Sequence, residues 1–316
     1  MMYFKSRYDE AHTAVYGGWR KYEKNPVILP HWGETFDASI NKLPDRYRLY
    51  YAWRQVRSIA YSDSLDGFHW TRPQLCVPYD LTTGYEEEVN RQSVVYRGGC
   101  YQMWYNGQVL GRLGMGDGLS VLMHASSQDG IHWEKDPAPV LIGENDTWEC
   151  GNILCPHVIW DEEMKKYRMW YSAGEFYDPI MIGYAQSDDV IRWERYSQHP
   201  IFTPVYANLH ERERVGGCSV LKEVDGWHYM FYISYEDAHK STISIARSRD
   251  GITGWQRHPQ NPIIATGPAD AWDSEAIFKP CVLHEPGRWL LWYNGGNVGV
   301  EHIGMAIHDG DDLGFE

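Results

Sequence analysis

The chain of 316 residues is 43% hydrophobic, 15% aromatic and 23% charged, which supplies enough apolar surface for a large core and excludes a disordered protein. Its formal charge of −14 argues against a nucleic-acid backbone or an anionic membrane surface as partner, because both require a basic field. No stretch approaches the ~18 apolar residues of a membrane span, and residues 1–20 hold no apolar run behind basic residues, so a cytoplasmic protein without a leader is expected.

The first readable element is the segment 19–28, in which Asn25-Pro26 follows Trp19 by six residues, as Asn261-Pro262 follows Trp255. After it, one set of pieces recurs along the chain. An apolar strand is anchored on Ile40, Val94, Val158, Val220 and Val282. An aromatic strand follows at 47–51, 101–105, 167–171, 228–232 and 289–293, and a third strand carries Ala60, Ala125, Ala185, Ala246 and Ala306. Ser-x-Asp turns then lead to Trp70, Trp133, Trp193 and Trp255, spaced by 63, 60 and 62 residues. A fourth strand ends in a Pro-apolar pair. Short β-branched and aromatic runs broken by Gly, Asp and Pro are strand and turn signals. Four strands repeated five times predict an all-β, five-bladed β-propeller over 1–316 as a single domain, with four antiparallel strands per blade. The fifth repeat lacks an outer strand, and its match near the N-terminus predicts that residues 19–29 complete the last blade and remove an exposed edge. The six cysteines are expected to be reduced thiols.

This repeat resembles the five-bladed propeller carbohydrate enzymes, namely glycoside hydrolase families 43 and 32 and the mannoside phosphorylases and hydrolases of family 130. The likeness rests on the aromatic strands, the Ser-x-Asp turns, the Pro-apolar strand ends and the segment 272–280. It implies an active site at one end of the central channel, with carboxylates on the innermost strands. Asp37, preceding Ala38-Ser39-Ile40, is similar to the Asp-Pro-x-Ile segment that supplies the base or nucleophile, with Ala38 in place of Pro. The chain departs from family 43 at Cys155-Pro156-His157, where Asp-Pro stands, and at 215–218, where Glu-Gly-Pro stands. Glu149-Cys150 is similar to the Glu-Cys of family 32.

Aligned on their anchors, the inner strands place Asp37, Arg91, Cys155, Gly217 and Lys279 in one layer, and Ser39, Ser93, His157, Ser219 and Cys281 in the next. Both layers are more polar than a packed core requires. Asp37 falls between Lys279 and Arg91 in a closed ring. The trio either forms an ion-pair network holding the channel or keeps Asp37 charged as base or nucleophile. A general acid must then come from the entry loops, where Glu149, Glu211 and Asp273 stand nine residues before the anchors and Glu87, Glu213 and Glu275 seven before. Glu149 and Glu213 are the favoured acids. Trp32, Trp148 and Trp272 either stack on sugar faces or plug the gaps between blades. Arg91, Arg212, Arg214 and Lys279 are suited to holding phosphate. His157 either donates to an anion, binds a channel metal or satisfies backbone groups. No His/Cys spacing has zinc-site character and no cofactor is expected, although a structural channel metal stays open. The expected function is a glycoside hydrolase acting on short furanoside or mannoside substrates. The alternatives are a phosphate-dependent glycoside phosphorylase and a noncatalytic carbohydrate-binding propeller.

Overall fold

The computed structural model describes residues 17–111, 118–176, 178–297 and 299–315, so the leader-free reading of residues 1–20 falls mostly outside the described residues. Among the described residues, twenty strands form five antiparallel sheets of four. The chain opens with β1 (Trp19–Lys21). Blade I holds β2 (Thr35–Lys42), β3 (Tyr47–Trp53), β4 (Ser58–Ser64) and β5 (Gln74–Val77). Blade II holds β6 (Glu88–Arg97), β7 (Cys100–Val109), β8 (Leu119–Ser127) and β9 (Glu134–Lys135). Blade III holds β10 (Ile153–Asp161), β11 (Lys166–Glu175), β12 (Asp178–Ser187) and β13 (Glu194–Arg195). Blade IV holds β14 (Arg214–Lys222), β15 (His228–Tyr235), β16 (Ser241–Ser248) and β17 (Gln256–Arg257). Blade V consists of β18 (Ala276–Glu285), β19 (Arg288–Asn297) and β20 (Val300–Asp309), with β1 as its outer strand. The first strands of successive blades touch one another around a closed ring, which is the expected five-bladed propeller. No helix among the described residues is long and apolar enough to cross a membrane.

The terminal closure is built as the repeat predicts, with one difference. Trp19 pairs with His308 and Lys21 with Ala306, but regular pairing stops there. The chain turns at Asn25-Pro26, where proline offers no N–H to a ladder, and rejoins β20 when the Val27 amide donates to the Ile303 carbonyl at 2.9 Å. Asn25 bridges that gap, donating to the Met305 carbonyl at 2.9 Å and accepting from the Met305 amide at 2.8 Å. Asn261 clamps Ile245 in the same two-way manner, both bonds at 2.9 Å. The matched asparagines are therefore strand clamps.

The Ser-x-Asp turns are self-satisfied loops. Ser64 accepts from the Gly67 amide at 2.9 Å while Asp66 accepts from the amides of Phe68 and His69, and Ser127 with Asp129 repeats the pattern. Each turn delivers a tryptophan against the preceding blade: Trp133 meets Tyr50 at 5.8 Å, Trp193 meets Trp104 at 5.7 Å, and Trp70 meets Trp292 at 6.3 Å, all edge-on. These contacts absorb much of the aromatic excess.

The innermost strands share two further features. Each slips register just before its anchor, between Phe36/Ser39, Asn90/Ser93, Leu154/His157, Gly216/Cys218 and Phe278/Cys281. The residue in the slip has left-handed backbone: Asp37 (φ 61°), Arg91 (53°), Cys155 (49°), Gly217 (41°) and Lys279 (41°). Such a conformation costs roughly 1–3 kcal/mol at a residue with a Cβ, and the bulge re-aims the side chain it carries. One residue before each anchor, a side chain crosses to the next blade. The amides of Val94, Val158 and Val282 donate to Ser39, Ser93 and Ser219 at 3.2, 2.9 and 3.3 Å, and the Ile40 amide donates to Cys281 Sγ at 3.3 Å. His157 Nε2 completes the ring by donating to the Val220 carbonyl at 2.8 Å.

Trp19 is 3% exposed and packs edge-on against Phe231 of blade IV at 5.7 Å. Trp19→Ala is expected to destabilise the fold by about 3–5 kcal/mol, read as a lower midpoint of urea unfolding. An unchanged midpoint would show that the N-terminal strand does not fasten the ring.

Candidate active site

Where four of the five slipped residues, Asp37, Arg91, Cys155 and Lys279, converge, the axis opens into a cavity of about 310 Å³ lined by all five blades. Blade I contributes Phe36, Asp37 and Arg54, and blade II contributes Glu88, Asn90 and Arg91. Cys155, Pro179, Ile233 and Tyr235 form the wall of blades III and IV, while blade V supplies Phe278, Lys279, Asn294 and Glu301. The volume matches the small end of ligand pockets, and the mixture of aromatic walls and convergent charge matches their chemistry. Directly beneath, a void of about 60 Å³ is lined by the inter-blade ring, including Ser39, Ser93, His157, Ser219 and Cys281.

Asp37 is buried and fixed from two sides. Its amide donates to Asn294 Oδ1 at 2.8 Å, its carboxylate accepts from Asn294 Nδ2 at 3.0 Å, and its carbonyl accepts from Gln92. Asn294 thus sets both the bulge and the carboxylate it presents. Asn106 and Ser172, at the same place in blades II and III, accept from the amides of Cys155 and Gly217. Arg91 and Lys279 line the cavity with Asp37, as the layer alignment requires. The Lys279 ammonium has no hydrogen-bond partner among the described residues.

Glu301 on β20 lines the same cavity as Asp37. Burial pushes its carboxyl up to about 7, with Asp37 and Glu34 adding to the rise and Arg54 and Arg91 opposing it. Arg54 Nη2 contacts Glu301 at 3.0 Å and its Nε contacts Glu34 at 2.9 Å, so this arginine sets the orientation of the acid. A carboxyl that titrates near neutrality beside a second carboxylate is the arrangement acid/base catalysis uses.

The favoured acid Glu149 stands elsewhere and is corrected. It is 2% exposed, accepts from the Tyr171 hydroxyl at 2.7 Å and from the Glu144 amide at 2.9 Å, and takes Arg195 bidentately, with Nε and Nη2 both at 2.8 Å. Burial pushes its carboxyl up, but Arg195, Tyr171 and the Glu144 amide outweigh burial and hold it below the ordinary glutamate value. A carboxylate so bound has no proton to give. The device recurs: Glu86 joins Tyr105 and Lys135, Glu211 joins Tyr232 and Arg257, and Asp273 joins Tyr293 and Lys21. These acids staple the entry, second strand and outer strand of a blade, and Asp273 fastens β1 itself.

The remaining expected residues divide as follows. Glu213 and Glu275 are exposed on the rim outside the cavity lining. Arg214 lies over the Tyr235 ring at 4.5 Å and Arg212 turns to the Glu236 carbonyl at 3.0 Å, so the expected four-cation phosphate cluster reduces to Arg91 and Lys279. Trp148 stacks on Tyr171 at 5.9 Å and Trp272 on Tyr293 at 5.7 Å. Trp272 lies so close over Gly295 and Gly304 that a Cβ at either would sit 2.5 Å from the indole. Both tryptophans are plugs, and Trp32 packs with Trp53, whose indole donates to the Trp32 carbonyl. His157 is driven down to about 4 by burial, with Lys279 adding to the fall, and satisfies backbone in the channel ring. Among the described residues no group of three or more His, Cys, Asp or Glu is placed to hold a metal ion.

Glu301, Arg54 and Asn294 are not among the expected site residues. Extending the repeat alignment would have found the first: five positions before the repeated alanines stand Gln55, Ser120, Ile180, Ser241 and Glu301, and only the last is charged.

No protein-family model matches the chain. Two uncharacterized proteins of Mycobacterium tuberculosis, from strains CDC 1551 and H37Rv, are each 30% identical over 181 residues, covering 55% of this chain and 56% of theirs. The chain therefore spans about half the length of the curated relatives it matches. Its structure is similar to a glycoside hydrolase (TM-score 0.71, 18% identity, 87% of each chain) and to a thermostable family-43 glycoside hydrolase (0.69, 16%, 89% of this chain and 91% of that one). It is also similar to a structure from work on family 130 mannoside phosphorylases containing hydrolases of β-1,2 mannosidic linkages (0.68, 16%, 94% of this chain and 97% of that one). At these identities the likeness carries the propeller fold.

Glu149→Gln is expected to cost about 2–3 kcal/mol, at or below the low end for a broken buried pair because Arg195 is partly exposed, while leaving turnover per folded molecule intact. Since the folded carboxyl lies below its unfolded value, that contribution is complete above the glutamate range and fades as pH falls through it. Chemical denaturation from pH 7 to pH 3 would reveal the difference. Lost turnover with unchanged stability would return Glu149 to the site.

Proposed function

We propose that the protein is a glycoside hydrolase that works in the axial cavity with Asp37 as base or nucleophile and Glu301 as general acid. The observation that carries this reading is the pairing in one sugar-sized cavity of an Asn294-fixed Asp37 with a carboxyl raised to about 7. In its protonated form Glu301 delivers a proton to the departing glycosidic oxygen. Asp37, charged and bordered by Arg91 and Lys279, activates water or attacks the anomeric carbon. Arg54 acts as the positioning residue for the acid. Structural similarity to glycoside hydrolases supports the reaction class.

Two substitutions test the roles on a panel of aryl furanosides and mannosides. Glu301→Gln should lower kcat by about 10²–10⁴-fold for poor leaving groups and far less for dinitrophenolate, which departs without a proton. Wild-type kcat/KM should fall as pH rises through about 7, and this limb should vanish in Glu301→Gln. Asp37→Asn should suppress turnover for every leaving group. Undiminished turnover by Asp37→Ala would overturn the assignment.

A further inference from the structure

The cavity contains one ammonium that the described residues leave without a hydrogen-bond partner. Lys279 is 4% exposed, and its ammonium has no hydrogen-bond partner among the described residues. Cations packed within the blades are matched: Arg168 by Asp161 at 3.1 Å, Arg48 by Asp63 at 2.7 Å, Lys135 by Glu86 at 2.8 Å and Lys21 by Asp273 at 2.7 Å. Withdrawing an ammonium from water costs several kcal/mol unless an anion or other acceptor replaces the lost solvation. The backbone meets a second cost to hold Lys279 there, because its φ of 41° is left-handed. On the neighbouring blade IV the equivalent position is Gly217, where a Cβ would lie 3.6 Å from Lys279 Cδ, so the lysine stem runs alongside that bulge in van der Waals contact range. Lys279 lines both the cavity and the void beneath it, at the floor of the space a ligand would enter.

We infer that this site takes a glycoside whose ring carries a carboxylate, a hexuronide, with Lys279 as the ionic partner of that carboxylate. The inference rests on the hydrolase reading for the ring's position in the cavity. Charge selects the class. One ammonium without a hydrogen-bond partner answers one negative charge, whereas a phosphate dianion would bring a second charge into a cavity that already holds the carboxylates of Asp37 and Glu88. Space agrees, since about 310 Å³ admits a single sugar ring against Phe36, Ile233, Tyr235 and Phe278. A neutral sugar would leave the ammonium buried and unanswered, which is the strongest basis for rejecting an analogue that lacks the recognised group.

The test is calorimetric binding to the whole chain of methyl hexuronides in the gluco, galacto and manno series, their neutral hexoside counterparts, and inorganic phosphate. One uronide should bind at least roughly tenfold more tightly than its neutral counterpart, the margin of one charge-assisted contact. Lys279→Met should erase that margin while retaining neutral-sugar binding, and Lys279→Arg should keep most of it. Equal wild-type binding of acidic and neutral sugars, a margin that survives in Lys279→Met, or phosphate binding tighter than any uronide would overturn the inference. If Lys279→Met does not fold, the wild-type comparison alone decides. Hydrolysis of neutral aryl glycosides without uronide preference would overturn this inference and leave the hydrolase reading standing. Uronide preference without turnover of any glycoside would support the inference and sink the hydrolase reading.

Discussion

Five side chains, each one residue before its strand's anchor, reach across to the backbone of the next blade, and this ring of hydrogen bonds fixes everything above it. Four are accepted from amides by Ser39, Ser93, Ser219 and Cys281, and the fifth is donated by a neutral His157. Each contributes only about 1 kcal/mol net, but an unmet buried amide would cost 1–3 kcal/mol, so the ring is more costly to break than to form. It constrains both the spacing and the rotation of the blades. The slipped residues lie two positions away along the same strands, so their convergence follows from the ring.

The bulges convert that architecture into chemistry. A regular strand alternates its side chains, whereas the slip and left-handed turn at each inner strand give the third residue before the anchor a separate direction. The cost is accepted at Asp37, Arg91, Cys155 and Lys279 and is least at Gly217. Placing charged residues at three of five symmetric positions, a thiol at one and nothing at another makes a nearly fivefold frame into an asymmetric cavity. The outer staples built on Glu86, Glu149, Glu211 and Asp273 keep each blade stiff enough for that asymmetry to be held.

The propeller, its terminal closure and the Asp37 layer were legible because each is written as a repeat, and a repeat converts linear spacing into angular position. The Asn25 and Asn261 clamps, the turn serines and the plugging tryptophans all left that kind of trace. Glu149 misled for an instructive reason: its partners Tyr171 and Arg195 lie 22 and 46 residues away in sequence, and nothing local distinguishes a stapled acid from a free one. Glu301 carries no mark in the inner-strand pattern, because it enters the cavity from the third strand of the last blade. Its raised carboxyl depends on burial beneath neighbours from other blades, a property no single segment encodes.

The clasp between β1 and β20 has a temporal meaning for a chain made from one end. Residues 19–27 are synthesised long before their partners Ile303, Met305 and His308. Lys279, Asn294 and Glu301 share that sheet, so the axial cavity is complete only when the two ends of the ring join. A chain that stops before β18 lacks Lys279, Glu301 and the Asn294 that orders Asp37, and leaves β1 without its partner strand.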